Sequence, residues 1–311
     1  MIRSKLNFDI LEAKKAYANG ENITELLRAQ KNLGWNTPEI IETAYDLQAG
    51  SYIADIIRDP SHSKLYTAEL AEILQEHIRE GDSLLDIGTG ELTTLSQLMC
   101  KLKQLPKAVY AFDISWSRIS KGIAYSEMLL KNKFKIIKPF VAEISEIPLP
   151  NKSINITTSS HALEPNGGRL KDLMIELFRV TINKLVLFEP CFEINTDEGK
   201  IRMERLGYIK NIDGIVQELG GKIIEKIVIK NISNPINPTV CFVIIPPSNS
   251  ELSNTHFHNS KIFYSVPGTE IPLEKVKKFY FSEKVGLCYP ILNGIPILKS
   301  STAILASSLR D

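Results

Sequence analysis

The run Ser83-Leu84-Leu85-Asp86-Ile87-Gly88-Thr89-Gly90-Glu91 constrains this 311-residue chain more than any other stretch. It reads as a buried strand that closes on an acidic residue and a glycine turn, then opens a helix. Two glycines with one residue between them let the backbone turn tightly and let a ligand approach the main chain where a Cβ would block it. The first turn of the following helix offers free N–H groups, which suit an anionic or carboxylate-bearing ligand. Nucleotide-type ligands bind at such strand-to-helix junctions in open α/β sheets.

The texture around this turn divides the chain. Residues 1–80 read as helical: 23–30 is amphipathic and Gly34 ends it, while Thr37-Pro38-Glu39 supplies an N-cap with proline in the first turn of a helix running to Gly50. A further helix is expected over 66–78. From Ser83 strands alternate with helices, the pattern of a parallel sheet with crossover helices. Strands are expected at 83–87, 108–113, 135–143, 154–159 and 184–188, with amphipathic helices at 117–131 and 170–181. After Gly220-Gly221, 222–230 and 239–245 follow each other without a helix, which suggests an antiparallel pair closing the sheet. Pro246-Pro247-Ser248-Asn249-Ser250 reads as a linker. Beyond it Asn293-Gly294 lies between two apolar runs, a hairpin signal. The expected organisation is therefore α/β: a helical region 1–80, a core 81–247 and an extension 248–311 containing a hairpin.

Composition excludes several classes. A net charge of +1 offers no electrostatic footprint for nucleic acid. No apolar run approaches the roughly 18 residues needed for a bilayer span, and 1–9 is broken by charges and lacks a signal-peptide core. Cys100, Cys191, Cys241 and Cys288 form no Cys-x-x-Cys pair, which fits reduced thiols in the cytoplasm rather than a disulfide framework or zinc site. His256-x-His258 lacks a nearby Cys or acid partner, and a solvated loop is expected there, with no metal bound. Lys275-Val276-Lys277-Lys278 is expected to be an exposed face.

Chemistry concentrates at the ends of successive strands. Asp113 closes the second, where an acid can accept from both hydroxyls of a ribose. Glu143 closes the third and can accept from an exocyclic amino group such as adenine's. The fourth ends in Ser159-Ser160-His161-Ala162-Leu163-Glu164. A dinucleotide fingerprint is excluded because Thr93 stands where its third glycine belongs.

Taken in order, these motifs resemble class I S-adenosylmethionine-dependent methyltransferases, of the subgroup that includes the ubiquinone and menaquinone C-methyltransferases. Leu84 to Gly90 resembles the family's first motif and Ala111-Phe112-Asp113-Ile114-Ser115 its second. Glu143 to Glu164 resembles the run from its third acid to Ser-Ser-His-x-Leu-Glu-His, and Phe188-Glu189-Pro190 the end of its fifth strand. The resemblance covers roughly residues 65–246. It implies a Rossmann-like, doubly wound, seven-stranded, mostly parallel sheet with an antiparallel last strand, and S-adenosylmethionine as cofactor. Asp86, Ile87, Gly88, Thr89 and Gly90 would meet the methionine moiety, Asp113 the ribose, and Ile114, Glu143 and Ile144 the adenine, with Ser159 and Ser160 near the transferable methyl. Leu92 replaces a frequent third glycine, Asn155 the usual Asp and Pro165 the usual His.

His161 is the general-base candidate, since imidazole takes a proton near neutral pH; the alternative is a histidine that only orders the loop. Glu164 either touches substrate or pairs with backbone N–H groups. Tyr45, Tyr52 and Tyr66 are helix-face residues that such a family's lid can turn toward the acceptor. The 289–298 segment is similar to the Tyr-Pro-x-x-x-Gly-Ile-Pro hairpin of zinc-ribbon-like domains that activate tRNA and protein methyltransferases, but without their cysteine pairs. Here it would cover substrate or mediate self-association, so a homodimer is left open. The leading expectation is methyl transfer to a small-molecule acceptor, specialised-metabolite or quinone-like. The alternatives are a tRNA or protein methyltransferase, and a non-catalytic module that binds S-adenosylmethionine.

Overall fold

Every residue of β1 (Ser83–Ile87) is buried, as a central parallel strand covered on both faces must be. The computed structural model describes residues 9–248 and 263–309. The His256-x-His258 pair, residues 1–8 and the Asn249-Ser250 end of the expected linker lie outside them.

Five helices precede β1: α1 (Ile10–Ala18), α2 (Ile23–Lys31), α3 (Pro38–Leu47), α4 (Ser51–Arg58) and α5 (Ser61–Gln75). Local capping explains three starts. Asp9 accepts from the Leu11 and Glu12 amides, Asn22 from Glu25, and Thr37 from Ile40 with Pro38 following it. The first three helices share a small apolar cluster of their own around Ala16, Leu27, Ile40 and Ala44. In contrast, α5 packs Leu70, Ala71 and Leu74 with β1 and α6 (Thr93–Lys101), so it belongs to the sheet's flank. It begins at Ser61, five residues before the expected start, because Pro60 enters the first turn as a cap.

The sheet continues with β2 (Ala108–Asp113), α7 (Trp116–Leu130), β3 (Ile137–Val141), β4 (Ile154–Ser160), α8 (Leu170–Val180), β5 (Thr181–Pro190), α9 (Asp197–Leu206), α10 (Ile212–Glu218), β6 (Lys222–Val228) and β7 (Thr239–Ile245). Its order is β3-β2-β1-β4-β5-β7-β6, with β7 antiparallel to both neighbours and the strands from β1 to β5 parallel. This is the mostly parallel, seven-stranded α/β fold expected. Strand order reverses between β1 and β4, and ligands of open sheets bind at such a switch point, outside the carboxyl ends.

Three local readings change. Residues 131–136 form a 3-10 turn, not the start of β3, because Lys131 leaves α7 with φ 51°. Glu143 therefore lies just past the strand end, after the Ala142 amide has bonded the Asp113 carbonyl. Helices α9 and α10 occupy stretches with no helix expected.

The extension forms a second sheet from β8 (Glu274–Val276), β9 (Phe279–Ser282), β10 (Leu287–Leu292), β11 (Ile295–Pro296) and β12 (Ile304–Leu305). Asn293 and Gly294, at φ 48° and 82°, make the two-residue hairpin turn joining β10 to β11. The unit lies along the open edge of β3: Val141 bridges Ile297, and the Leu298 amide donates to the Val141 carbonyl at 2.8 Å. Tyr264 packs against Phe140 at 5.2 Å and against Tyr280 at 5.2 Å, so an aromatic seam joins extension and core. Such cover protects an edge strand that would otherwise present unpaired backbone groups. Lys277 and Lys278 turn the chain between β8 and β9, where both are exposed.

All four cysteines are free thiols, three of them buried. Among the described residues no helix is long and apolar enough to cross a membrane, and no three His, Cys, Asp or Glu side chains gather as metal ligands would.

Candidate functional site

The glycine turn is shaped by what lies against it. Gly88 and Gly90 have φ 58° and 55°, and a Cβ at Gly88 would come within 2.5 Å of the Ala162 Cβ. The turn is tied to β2 from both sides. The Thr89 amide donates to the Phe112 carbonyl at 2.9 Å, and the Gly90 amide donates to Asp113 Oδ2 at 3.0 Å. The second Asp113 oxygen accepts from the Ser115 amide at 2.9 Å, which sets the start of α7. Asp113 is distant in number from Asp86 and Gly88; the register Asp86↔Ala111 brings all three to one end of the sheet.

Two spaces open there. A cleft of about 70 Å³ lies over Asp113, Ile114, Ala142, Glu143 and Ile144, and Pro38, Ile41 and Tyr45 of α3 line it as well. Beside it a cavity of about 550 Å³ reaches from the Gly88–Glu91 turn to Tyr52 of α4 and Tyr66 of α5, and across to Ser160, His161 and Glu164. Of the predicted site residues, Gly88, Asp113, Ile114, Glu143, Ile144 and His161 meet at the cleft, while Thr89, Gly90, Ser160, Glu164, Tyr52 and Tyr66 wall the cavity and Tyr45 borders both. Asp86, Ile87 and Ser159 line neither; Ile87 is in the main apolar core. The described extension lines neither space; it packs on the β3 edge.

Burial pushes the carboxyl of Asp86 up to about 7, and the nearby Asp113 charge adds to the push. Burial also raises Glu143 to about 7, reinforced by Glu146, Glu39 and Glu42 and opposed by Lys299. Lys299, 4% exposed at its side chain, pairs with Glu42 of α3 at 2.6 Å, and the Ser300 amide and hydroxyl donate to Glu146. The extension thus supports the outer wall of the cleft from behind.

His161 stands at φ 57° with both ring nitrogens occupied: Nδ1 meets Glu164 Oε2 at 2.5 Å and Nε2 meets Thr239 Oγ1 at 2.9 Å. Burial alone would lower its pKa, but the Glu164 carboxylate outweighs burial and holds it above the ordinary value. Burial would likewise raise Glu164, yet His161, Tyr208 and Asn237 hold it below. Each favours the charged form of the other.

Three further carboxylates organise the site. Glu189, at the end of β5 and fully buried, accepts the amides of Ala162, Leu163 and Glu164 at 3.0–3.1 Å and so fixes the loop carrying His161. Glu91, 1% exposed, accepts the Gly50 amide at 2.9 Å and the Ile53 amide at 2.9 Å, capping α4 from the glycine turn. Asp46 of α3 accepts from the Ser115 hydroxyl at 2.7 Å. Sequence reasoning assigned these three no role, because their partners are groups distant along the chain; only the position of Glu91 directly after Gly90 hinted at it.

Similarity to solved structures concerns the fold. The chain is similar to one in the complex between the Haloferax volcanii Trm112 methyltransferase activator and its methyltransferase, at 14% identity over 64% of this chain and 96% of that one, with TM-score 0.51. It is also similar to a SAM-dependent methyltransferase from Aquifex aeolicus, at 21% identity over 63% and 97% of the two chains, with TM-score 0.46. No family model and no curated protein sequence matches this chain.

Proposed function

We propose that this chain is an S-adenosylmethionine-dependent methyltransferase acting on a small, polar acceptor. The observation that carries the reading is the meeting of Gly88, Asp113 and Glu143 on one cleft at the switch point of a sheet ordered β3-β2-β1-β4-β5-β7-β6. These residues fit the cofactor: the turn has no room for Cβ atoms, Asp113 presents a carboxylate at the β2 end, and apolar Ile114, Ala142 and Ile144 surround the acid that would accept from an adenine amino group.

When bound there, S-adenosylmethionine supplies an already activated methyl sulfonium. What is left to the protein is mainly to orient the acceptor and exclude water. Asp113 holds ribose hydroxyls and Glu143 and Ile144 hold adenine. Pro38, Ile41 and Tyr45 of α3 line the same cleft, so the N-terminal helices wall the adenosine site from outside. His161 acts through orientation and charge, since Glu164 and Thr239 already occupy its nitrogens. The acceptor lies in the larger cavity against Tyr66, whose hydroxyl meets Ser160 at 2.9 Å. Ile56 and Ile232 are the aliphatic side chains in that wall, so a hydroxyl-bearing metabolite suits it better than a quinone-like one. The extension, packed on β3, braces the outer wall of the cleft through Lys299 and Ser300.

Calorimetry with S-adenosylmethionine and S-adenosylhomocysteine tests this. Both are expected to bind, and Asp113→Ala to weaken both by at least tenfold. Absence of binding by either ligand to the wild-type chain sinks the reading.

A further inference from the structure

Cleft and cavity meet at Arg118, in the first turn of α7, which borders both. Its backbone is set by the Ser115 cap, whose hydroxyl accepts the Arg118 amide at 3.2 Å. The residue is 8% exposed. Its guanidinium lies on the glycine turn: a Cβ on Gly90 would come within 2.6 Å of Nη2, so only glycine leaves it this place. From the lid, the Tyr52 ring stands 4.6 Å and the Tyr45 ring 5.2 Å from the guanidinium carbon.

No ion pair among the described residues includes this cation. Asp113 and Glu91 lie near enough for their charge to favour the guanidinium, and each also accepts two backbone amides, Asp113 those of Gly90 and Ser115 and Glu91 those of Gly50 and Ile53. Arg118 Nε is buried without a hydrogen-bond partner. The two acids offset the cost of burying the charge, and the unpartnered Nε leaves a donor for an anionic ligand at the junction of cleft and cavity. The planar fork matches a carboxylate, and tyrosine faces hold it in place while leaving its edge free to donate.

We propose that Arg118 is the carboxylate-binding residue of this site, receiving the α-carboxylate at the amino-acid end of the cofactor beside the Gly88–Gly90 turn. The inference rests on the methyltransferase reading. It also accounts for Tyr45 and Tyr52, which α3 and α4 bring in to brace the guanidinium when the lid is closed.

The test compares S-adenosylhomocysteine with methylthioadenosine, which keeps the adenosine and thioether but has no amino-acid end. Affinities of both are measured by calorimetry for the wild type, Arg118→Met and Arg118→Lys, with a thermal melt of each variant. The wild type should prefer S-adenosylhomocysteine. Arg118→Met should lose about 10- to 100-fold for S-adenosylhomocysteine, the range of a charge-assisted contact, and keep its methylthioadenosine affinity. Arg118→Lys should fall between. Equal losses for the two ligands would make Arg118 a structural strut and overturn the proposal, as would an undiminished preference in Arg118→Met or no preference in the wild type. Wild-type protein that binds neither ligand overturns the methyltransferase reading itself, a result seen without any variant.

Discussion

Glu91→Gln isolates the wire between glycine turn and lid. Helix α4 begins at Gly50, at φ 102°, and has no side-chain cap of its own; the buried Glu91 carboxylate serves instead, one oxygen to the Gly50 amide and one to the Ile53 amide. Glutamine preserves shape but offers one acceptor oxygen, and its NH2 then faces an amide N–H. The loss is one hydrogen bond to a charged group, about 1.5–3 kcal/mol, plus about 0.3–1 kcal/mol from removing negative charge at a helix N-terminus. Together these favour α4 opening by roughly 2–4 kcal/mol, or about 30- to 1000-fold in its local equilibrium. Native-state hydrogen exchange reads this directly. Amides of α4, such as Ala54, which donates to the Gly50 carbonyl, should lose protection by that factor, while β1 and β4 amides keep theirs because no sheet contact is touched. Unchanged α4 protection, or a uniform loss through the sheet, would refute the claim that Glu91 holds the lid.

Gly88→Ala should destabilise the fold by roughly 2–5 kcal/mol, combining a left-handed alanine with overpacking against Ala162. Its loop cannot retreat while Glu189 grips three amides. Calorimetric melting should show a Tm lower by about 5–15 °C, and an unchanged Tm would contradict the contact. Stability should also fall between pH 5 and 8. Asp86, Glu143 and Glu189 are each raised to about 7 by burial, and His161 is raised as well. Groups raised on folding contribute stability that is complete below their unfolded pKa and lost as pH climbs through the folded one. The lowered Glu164 acts only nearer pH 4. A urea midpoint that rises from pH 5 to pH 8 would refute this assignment.

How far the site was legible depended on what each residue answers to. Asp113 and Glu143 could be found because strand periodicity places them at the carboxyl ends of neighbouring strands, where an acid has a known use. Arg118 could not, since nothing in Ser115-Trp116-Ser117-Arg118 distinguishes a helix-face arginine from one folded down onto Gly90. Tyr66 was named as a lid residue, yet it stands on α5, which packs with the sheet, because its Leu70 and Leu74 neighbours meet β1 and α6.

By itself the sequence determined the features governed by local backbone physics: the positive-φ glycine turn after β1, the strand–helix alternation that builds a parallel sheet, the Thr37-Pro38 helix start and the Asn293-Gly294 hairpin. Each depends on dihedral freedom or side-chain periodicity within a few residues. Tertiary structure alone decided that Glu91 caps a helix some forty positions earlier, that Glu189 clasps the His161 loop, and that Lys299 reaches Glu42 behind the cleft. It also decided that the extension would seal β3 and leave the cavity to the lid. A carboxylate's partner here is a backbone amide, or a charge, made near only by folding, and no spacing along the chain encodes that distance.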